Sequence, residues 1–473
     1  MLTDHLNNER WSAMEINKND IYTVKIDDMS TDGSGIGHIM PDGFTLFIKD
    51  ALIGDTVEAR IIKLKKNYGY ARLISITEPS PSRADPRCPA ARQCGGCQLQ
   101  HLSYEAQLEF KENMVRNLLG HIGGLQVPQM LPIIGMDEPW HYRNKAQFPV
   151  GTDRNGRIVM GFYAGRTHDI IDAGCDCAIQ SPVNTDILAA CRGWMEKYGI
   201  SAYDEKSGRG LVRHILTRVG FATGQIMVCI IINGKRLPFS GELAELLKKI
   251  DGMKSICISP NMKRGNVILG DSVKTLWGQD YITDYIGSVQ YRISALSFYQ
   301  VNPLQTRKLY ETALKFADPG ENDVVWDLYC GIGTISLFFA GKAKEVYGVE
   351  IVPQAIADAR ENARINGITN AHFIVGKAED IVPAGTDGTG LAQLPDIIVV
   401  DPPRRGCGRS LLEYIIQIRP SRVVYVSCNP ATLARDLKIM SEGGYIPEKL
   451  QCVDMFAQSV HVETVVLMSR VRD

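Results

Sequence analysis

Apolar and polar positions alternate with a period of two through residues 21–77, in runs broken by glycine turns: IYTVKIDDM, STDGSGIGHI, GFTLFIKDAL and DTVEARIIKLKKNYGYARLISI. Short strands with turn signals at this spacing predict an OB-like β-barrel over residues 15–78. EPSPSRADP (78–86) breaks the alternation and reads as a linker. Helical spacing appears next in LSYEAQLEFKENMVRNLLGHI, and then WHYRNKAQFPV, GRIVMGFYAG and VRHILTRVGFATGQIMVCIIING return to sheet. A central α+β domain is therefore expected over residues 79–290, with the helical part near 103–120 able to pack on the last domain. From residue 296 apolar strands alternate with amphipathic helices, which predicts a doubly wound, Rossmann-like α/β domain over 291–473. No internal repeat is visible, and AGTDGTG (384–390) is expected to be a loop.

Length agrees with several domains, since 473 residues exceed what one core holds. With 45% hydrophobic and 22% charged residues the composition is that of a globular protein. GQIMVCIIING is far too short to cross a membrane, and the polar start MLTDHLNNERWSAMEINKND lacks the apolar stretch of a signal peptide. A cytoplasmic location without membrane contact is expected. The net charge of −1 gives no overall basic footprint and weighs against nucleic acid as a partner. Locally the balance differs: Arg60, Lys63, Lys65, Lys66 and Arg72 stand against the single acid Glu58, with Tyr68 and Tyr70 among them. Basic groups interleaved with aromatics suit single-stranded nucleic acid through phosphate attraction and base stacking. A solvated barrel face is the other reading.

Chemistry concentrates in the last domain. DLYCGIGT (327–334) comes after an apolar strand and opens a helix, where Gly331 and Gly333 let the backbone approach a ligand. The next strand ends in Glu350, at the distance expected of a carboxylate that binds ribose hydroxyls. Ser336 stands where a dinucleotide fingerprint wants glycine or alanine, so a single nucleoside cofactor fits better. DPPRRG (401–406) places Asp401 at a strand end before a rigid proline lip. VVYVSCNPATLARDL puts Cys428 between a strand and a helix, where the helix dipole is expected to lower the thiol pKa. Glu463 opens a final apolar strand in HVETVVLM, an environment that raises a carboxyl pKa.

CPAARQCGGCQLQ, FYQVNP, DLYCGIGT, GVE, DPPRRG, SCNPATLARDL and HVETV together resemble the bacterial RNA uracil-5-methyltransferase family, and within it the 23S ribosomal RNA branch, over roughly residues 15 to 470. The resemblance implies a methyltransferase domain in which Gln300, Tyr329, Glu350 and Asp401 contact S-adenosylmethionine, with Gly331 and Gly333 in the turn. It implies Cys428 as nucleophile, Glu463 as general base, Phe298 as a stacking group in the RNA site and a TRAM-type RNA-binding barrel. The pairing makes chemical sense. Carbon 5 of uracil attacks a sulfonium methyl only after a thiolate has added to carbon 6, and the proton on carbon 5 must then be removed by a base. The expected protein is a monomer acting on RNA. The transfer RNA T-loop enzyme is the alternative, and that branch generally lacks both the barrel and the cysteine cluster. An RNA-binding protein with a decayed methyltransferase fold would not retain Cys428, Glu463 and the cofactor residues together, and cytosine methylation would expect a Pro-Cys nucleophile where this chain reads SCNP. One departure stands out: Ala457 occupies the place where the family often has proline, which predicts a looser loop before Glu463.

Twelve cysteines without a secretion signal point to buried, catalytic or metal-ligating thiols rather than disulfides. Cys88, Cys94 and Cys97 are spaced C-x5-C-x2-C, and Cys177 or Cys175 downstream could complete a set of four, for zinc or for an iron–sulfur cluster. The resemblance implies [4Fe-4S] and, from the CAIQ context, Cys177 as the fourth ligand.

Overall fold

The structure is a computed structural model that describes residues 16–40, 43–172, 177–382, 391 and 393–471. The N-terminal start at residue 15, the 384–390 loop and the Cys175 alternative lie outside the described residues. The chain divides into two compact units, one of residues up to Pro86 with Gln98–Ala106, the other of Arg87–Cys97 with Gln107 onward.

The first unit is a closed five-stranded barrel built from Ile21–Met29, Gly35–Ile39, Phe44–Lys49, Thr56–Leu64 and Tyr68–Glu78. Alternation along these strands sends Val24, Ile26, Leu46, Ile48, Val57, Ala59 and Ile61 into the barrel core. Gly37 shows why one strand must thin: a Cβ there would meet the Lys25 carbonyl oxygen at 2.4 Å. Asp55 ties the barrel to the segment after it. Its buried carboxylate accepts from the backbone N–H groups of Leu52 and Ser80 and pairs with Arg83 at 2.6 Å.

The second unit contains two sheets. A six-stranded sheet runs in the order Lys274–Gly278, Met253–Pro260, Ile226–Ile232, Val212–Val219, Lys145–Thr152 and Ile158–Met160. Helices Asn184–Tyr198 and Ser240–Leu247 cover one face through Ile187, Trp194, Leu243 and Leu247. The opposite face, with Leu216, Met227 and Cys229, shares its core with the hairpin Tyr281–Ile286/Val289–Ser294 and the last domain.

The eight-stranded sheet has the order Ala371–Val375, Glu345–Glu350, Val324–Leu328, Ile397–Val400, Arg422–Ser427, Glu463–Arg470, Tyr445–Val453, Gln129–Ile134. Its first five strands are parallel; Val324–Leu328 and Ile397–Val400 are buried along their whole length, whereas the edge strand Ala371–Val375 is partly exposed. Glu463–Arg470 then runs antiparallel, so its first residue lies at the same edge as the last residues of its parallel neighbour. The eighth strand, Gln129–Ile134, comes from the stretch 79–290, and with it the helix Tyr104–Leu118 buries Val115 in the core of this sheet. Among the described residues no helix is long and apolar enough to cross a membrane.

Candidate active site

The carboxyl ends of the parallel strands open on a cavity of about 520 Å³, where an open α/β sheet places its ligands. Strand order sets the sequence of groups across it: Glu350, then Tyr329 and Gly331, then Asp401, then Cys428, then Glu463. Gln300 and Phe298 line it from the loop before the helix Pro303–Ala317. Phe298 is 70% exposed, free to meet a ligand with its whole ring face.

The DLYCGIGT turn is strained as a ligand-binding turn requires. Tyr329 adopts φ +72°, which a bulky residue rarely does, while its backbone N–H donates to the Val349 carbonyl and its hydroxyl to Glu379. Gly331 has φ +56°, and a Cβ there would meet nothing within 4 Å. Its N–H donates to Glu350 Oε2 and the Val352 N–H to Glu350 Oε1, so the carboxylate is fixed at the cavity wall. Gly333 does another job. It does not line the cavity; it starts the helix Thr334–Ala340 at φ +81°, and a Cβ would press on the Phe373 ring at 2.9 Å. Ser336, the residue in the third fingerprint position, donates its hydroxyl to buried Asp327 at 2.5 Å.

Two motifs prove to be one clamp. Asn429 caps the helix Pro430–Glu442 and, with Thr432, donates to the Arg404 carbonyl. Arg435 donates to the Arg405 carbonyl, and Asp436 accepts from the Cys407 N–H and the Tyr425 hydroxyl. The DPPRRG lip is thus held from the helix just after Cys428. Arg404, which sequence reasoning passed over, has its backbone held by this clamp and lines the cavity.

Cys428 and Glu463 meet because Ser427 and Thr464 are paired across adjacent strands, joined further by the Thr464 hydroxyl on the Ser427 carbonyl. Glu463 is 4% exposed, and burial raises its carboxyl well above the ordinary value, with Asp401 adding to the rise and Arg404 opposing it. Asp401 is itself pushed up to about 7 by burial and by Asp327. The Cys428 thiol departs from expectation. It stands one residue outside the cap, and burial together with Glu463 and Asp401 pushes it up to about 11, outweighing Arg404 and a backbone hydrogen bond.

The loop before Glu463 is not loosened by Ala457. Four successive carbonyls are bonded by side chains from other elements: Asp454 by Gln305, Met455 by Asn302, Phe456 by Lys111 and Ala457 by Tyr142. Gln107 exchanges two hydrogen bonds with Gln458, which adopts φ +69°. Lys111 and Asp454 form an ion pair at 2.6 Å with both side chains fully buried. Phe456 in this clasped loop and His461 just after it line the cavity with Glu463 and pack edge to face.

The cysteines divide by exposure. Cys88, Cys94, Cys97 and Cys177 are half-buried, whereas Cys191, Cys229, Cys257, Cys330, Cys407 and Cys452 are in cores. Burial and the neighbouring thiols Cys88 and Cys94 push Cys177 up to about 11, and burial and Cys88 raise Cys94. The Gly96 N–H donates to the Cys94 sulfur, and the Gly95 N–H to the Tyr163 carbonyl. Among the described residues no three His, Cys, Asp or Glu side chains are arranged to hold a metal ion as they stand.

On the barrel, strand pairing brings Phe47 beside Tyr70, and Phe47, Tyr68 and Tyr70 form a cluster with centroids 5.6–5.8 Å apart. Arg60, Lys63 and Arg72 on the two strands, and Lys65 and Lys66 in the turn between them, are exposed. Phe47 was not legible as a member, because it comes from a separate strand.

Comparison with known proteins identifies the family. An uncharacterised RNA methyltransferase of Halalkalibacterium halodurans is 49% identical over 454 residues, covering 96% of this chain and 98% of its own. Another, of Clostridium tetani, is 47% identical over 455 residues, covering 96% and 97%. The tRNA (uracil-5-)-methyltransferase family model matches residues 267–471, and the TRAM domain model matches residues 17–74. The chain belongs to the RNA uracil-5-methyltransferase family. The solved Pyrococcus abyssi tRNA (uracil-54, C5)-methyltransferase, in complex with S-adenosyl-L-homocysteine, superposes with a TM-score of 0.76 at 27% identity, covering 94% of this chain and 99% of that one. Membership of this RNA methyltransferase family puts a TRAM barrel and a methyltransferase sheet in one chain, and makes RNA the partner that both serve.

Proposed function

We propose that the protein transfers a methyl group from S-adenosylmethionine to carbon 5 of a uridine in 23S ribosomal RNA, through a covalent bond between Cys428 and carbon 6. The observation that carries this reading is the juxtaposition of Cys428 and Glu463 on adjacent strand ends in the cavity that Glu350, Gly331 and Tyr329 also line. The cofactor site fits a nucleoside: a fixed carboxylate for ribose hydroxyls, and a turn whose glycine leaves open space for close approach. Gln300, Tyr329, Glu350 and Asp401 would hold S-adenosylmethionine, which when bound supplies an electrophilic methyl group.

The chain's own groups do the rest. Cys428 gives its proton to solvent and its thiolate bonds to carbon 6, while the pair of the 5,6 double bond moves into an enolate that makes carbon 5 nucleophilic. Arg404 is the cation that lowers the cost of that thiolate. Once carbon 5 carries the methyl group, Glu463 takes the remaining proton there. The released pair re-forms the double bond and expels the thiolate. Phe298 supplies a stacking face for the splayed-out nucleotide.

By the family resemblance Cys88, Cys94, Cys97 and Cys177 would hold a [4Fe-4S] cluster, and the charges of Cys88 and Cys94 reaching Cys177 support the grouping of three of these soft donors. Bound there, the cluster would pin the loop that presents RNA, because methyl transfer has no net redox step. A Cys97→Ser protein that lost its brown colour yet bound RNA normally would contradict that role.

The cysteine set supports the ribosomal branch, whereas the barrel does not separate the two, since the solved transfer RNA enzyme covers 94% of this chain. The solved neighbour named as a transfer RNA enzyme, matched over 99% of its length, favours transfer RNA. Mass mapping of both RNAs from a deletion strain separates them: the first reading expects 5-methyluridine to vanish from 23S RNA while the T-loop keeps it, and the reverse result decides for transfer RNA.

A further inference from the structure

Three cations gather behind the loop that carries Phe298 and Gln300 into the cavity, and among the described residues no carboxylate pairs with them. Lys145 and Arg218 are Cα partners on the strands Lys145–Thr152 and Val212–Val219, and Arg143 lies two residues before Lys145. Burial lowers the Lys145 ammonium to about 7, and the charges of Arg218 and Arg143 push the same way. Among the described residues none of the three enters an ion pair. The Nε atoms of Arg143 and Arg218 are buried without a hydrogen-bond partner, and Arg218 as a whole is 2% exposed.

This cluster is tied to the acceptor end. Arg218 donates from Nη2 to the carbonyls of Ala295 and Ser297, at the start of the loop that carries Phe298 and Gln300 into the cavity. Asn144, between Arg143 and Lys145, donates its side chain to the Gln300 carbonyl and its backbone N–H to that of Val301. The Arg143 guanidinium lies 5.9 Å from the centre of the Phe456 ring, and its charge reaches His461. Both are neighbours of Glu463, across the sheet from Glu350.

We propose that the half-buried Arg143 and Lys145 form a binding site for a phosphodiester of the substrate RNA, next to the nucleotide that reacts, with buried Arg218 behind them holding the carbonyls of Ala295 and Ser297. Unpaired cations held partly out of water are costly unless an anion completes them. An oxyanion with several acceptor oxygens matches the Arg143 guanidinium edge and the Lys145 ammonium. Phosphate contacts set the register of a nucleic acid without reading its sequence. Here the register is fixed at the loop that bears Phe298, so binding the phosphate and orienting the base become one event. The inference rests on the reading that RNA is the acceptor, and it names the part of the RNA that is held.

The test is binding of oligouridylate, by fluorescence anisotropy in a series of KCl concentrations, to the full chain and to Lys145→Gln and Lys145→Arg. One lost phosphate contact on a single strand lowers the slope of log K against log salt by about 0.7, which is about fivefold in affinity at 0.1 M salt. Lys145→Gln should show that loss, Lys145→Arg should restore the slope, and neither should change the affinity for S-adenosylhomocysteine. Without RNA, Lys145→Gln should melt no lower than the parent, since it removes a repelled charge. An unchanged slope overturns the proposal, as does a Lys145→Gln protein that melts lower. A fall in S-adenosylhomocysteine affinity instead assigns the cluster to the cofactor's carboxylate. Because binding is read without methyl transfer, a reduced slope stands even if uridine is not the acceptor, and methylation with an unchanged slope fails this site alone.

Discussion

Between the carboxyls of Glu463 and Asp401 and the guanidinium of Arg404, Cys428 feels a field whose balance favours the neutral thiol. Its reactivity in the free enzyme should therefore climb with pH rather than saturate. Below a pKa of about 11 the thiolate fraction grows tenfold per pH unit. Alkylation of Cys428 by iodoacetamide, read by mass spectrometry of its peptide, should accelerate about tenfold from pH 7 to 8 and again from 8 to 9. A plateau at or below pH 8 would show a thiol already activated at rest. The nucleophile and the base were legible as motif residues. The resting proton was not, because it depends on two carboxyls, Asp401 and Glu463, from strands that only folding sets on either side of the one that ends before Cys428. Arg404 escaped for a related reason: a second arginine stands next to it in DPPRRG, and only the clamp from Asn429 and Thr432 shows that its place is fixed.

At the scale of elements, the loop 454–458 is held by parts the sequence keeps far apart. Gln107 and Lys111 come from the first long helix, Tyr142 from the start of the central sheet, and Asn302 and Gln305 from FYQVNP and the helix it opens. Periodicity predicted that helix, but a lysine at position 111 reads as solvent-facing, and only its fully buried pair with Asp454 shows otherwise. Breaking such a pair from one side leaves a buried charge, at a cost of about 3–5 kcal/mol. Lys111→Met should lose stability on that order in denaturant titrations and at least tenfold in turnover. The double variant Lys111→Met with Asp454→Leu should regain most of the stability and stay slow, since the Phe456 carbonyl still lacks its donor. A double variant with normal turnover would show that the clasp does not position the base. Gln129–Ile134 teaches a similar lesson: six residues of apolar strand cannot announce which of two sheets they will join.

For the whole molecule, the order barrel, central sheet, doubly wound domain was readable because each has its own period and turn chemistry. What stayed hidden were surfaces assembled across strands. The Phe47, Tyr68 and Tyr70 cluster is one, and stacking on such rings contributes about 1–3 kcal/mol per base. Tyr68→Ala should weaken oligouridylate binding by at least fivefold with little change in melting, because the ring is half-exposed on the outer face. Unchanged affinity would return the basic barrel face to mere solvation. The central claim concerns the reaction itself, and trapping its intermediate tests it most directly. RNA containing 5-fluorouridine, incubated with the enzyme and S-adenosylmethionine, cannot give up a proton from carbon 5, so a protein–RNA adduct that resists denaturing gel electrophoresis should accumulate, with the Cys428 peptide carrying the methylated fluorouracil. No adduct, or one that forms equally well with Cys428→Ala, would contradict the mechanism.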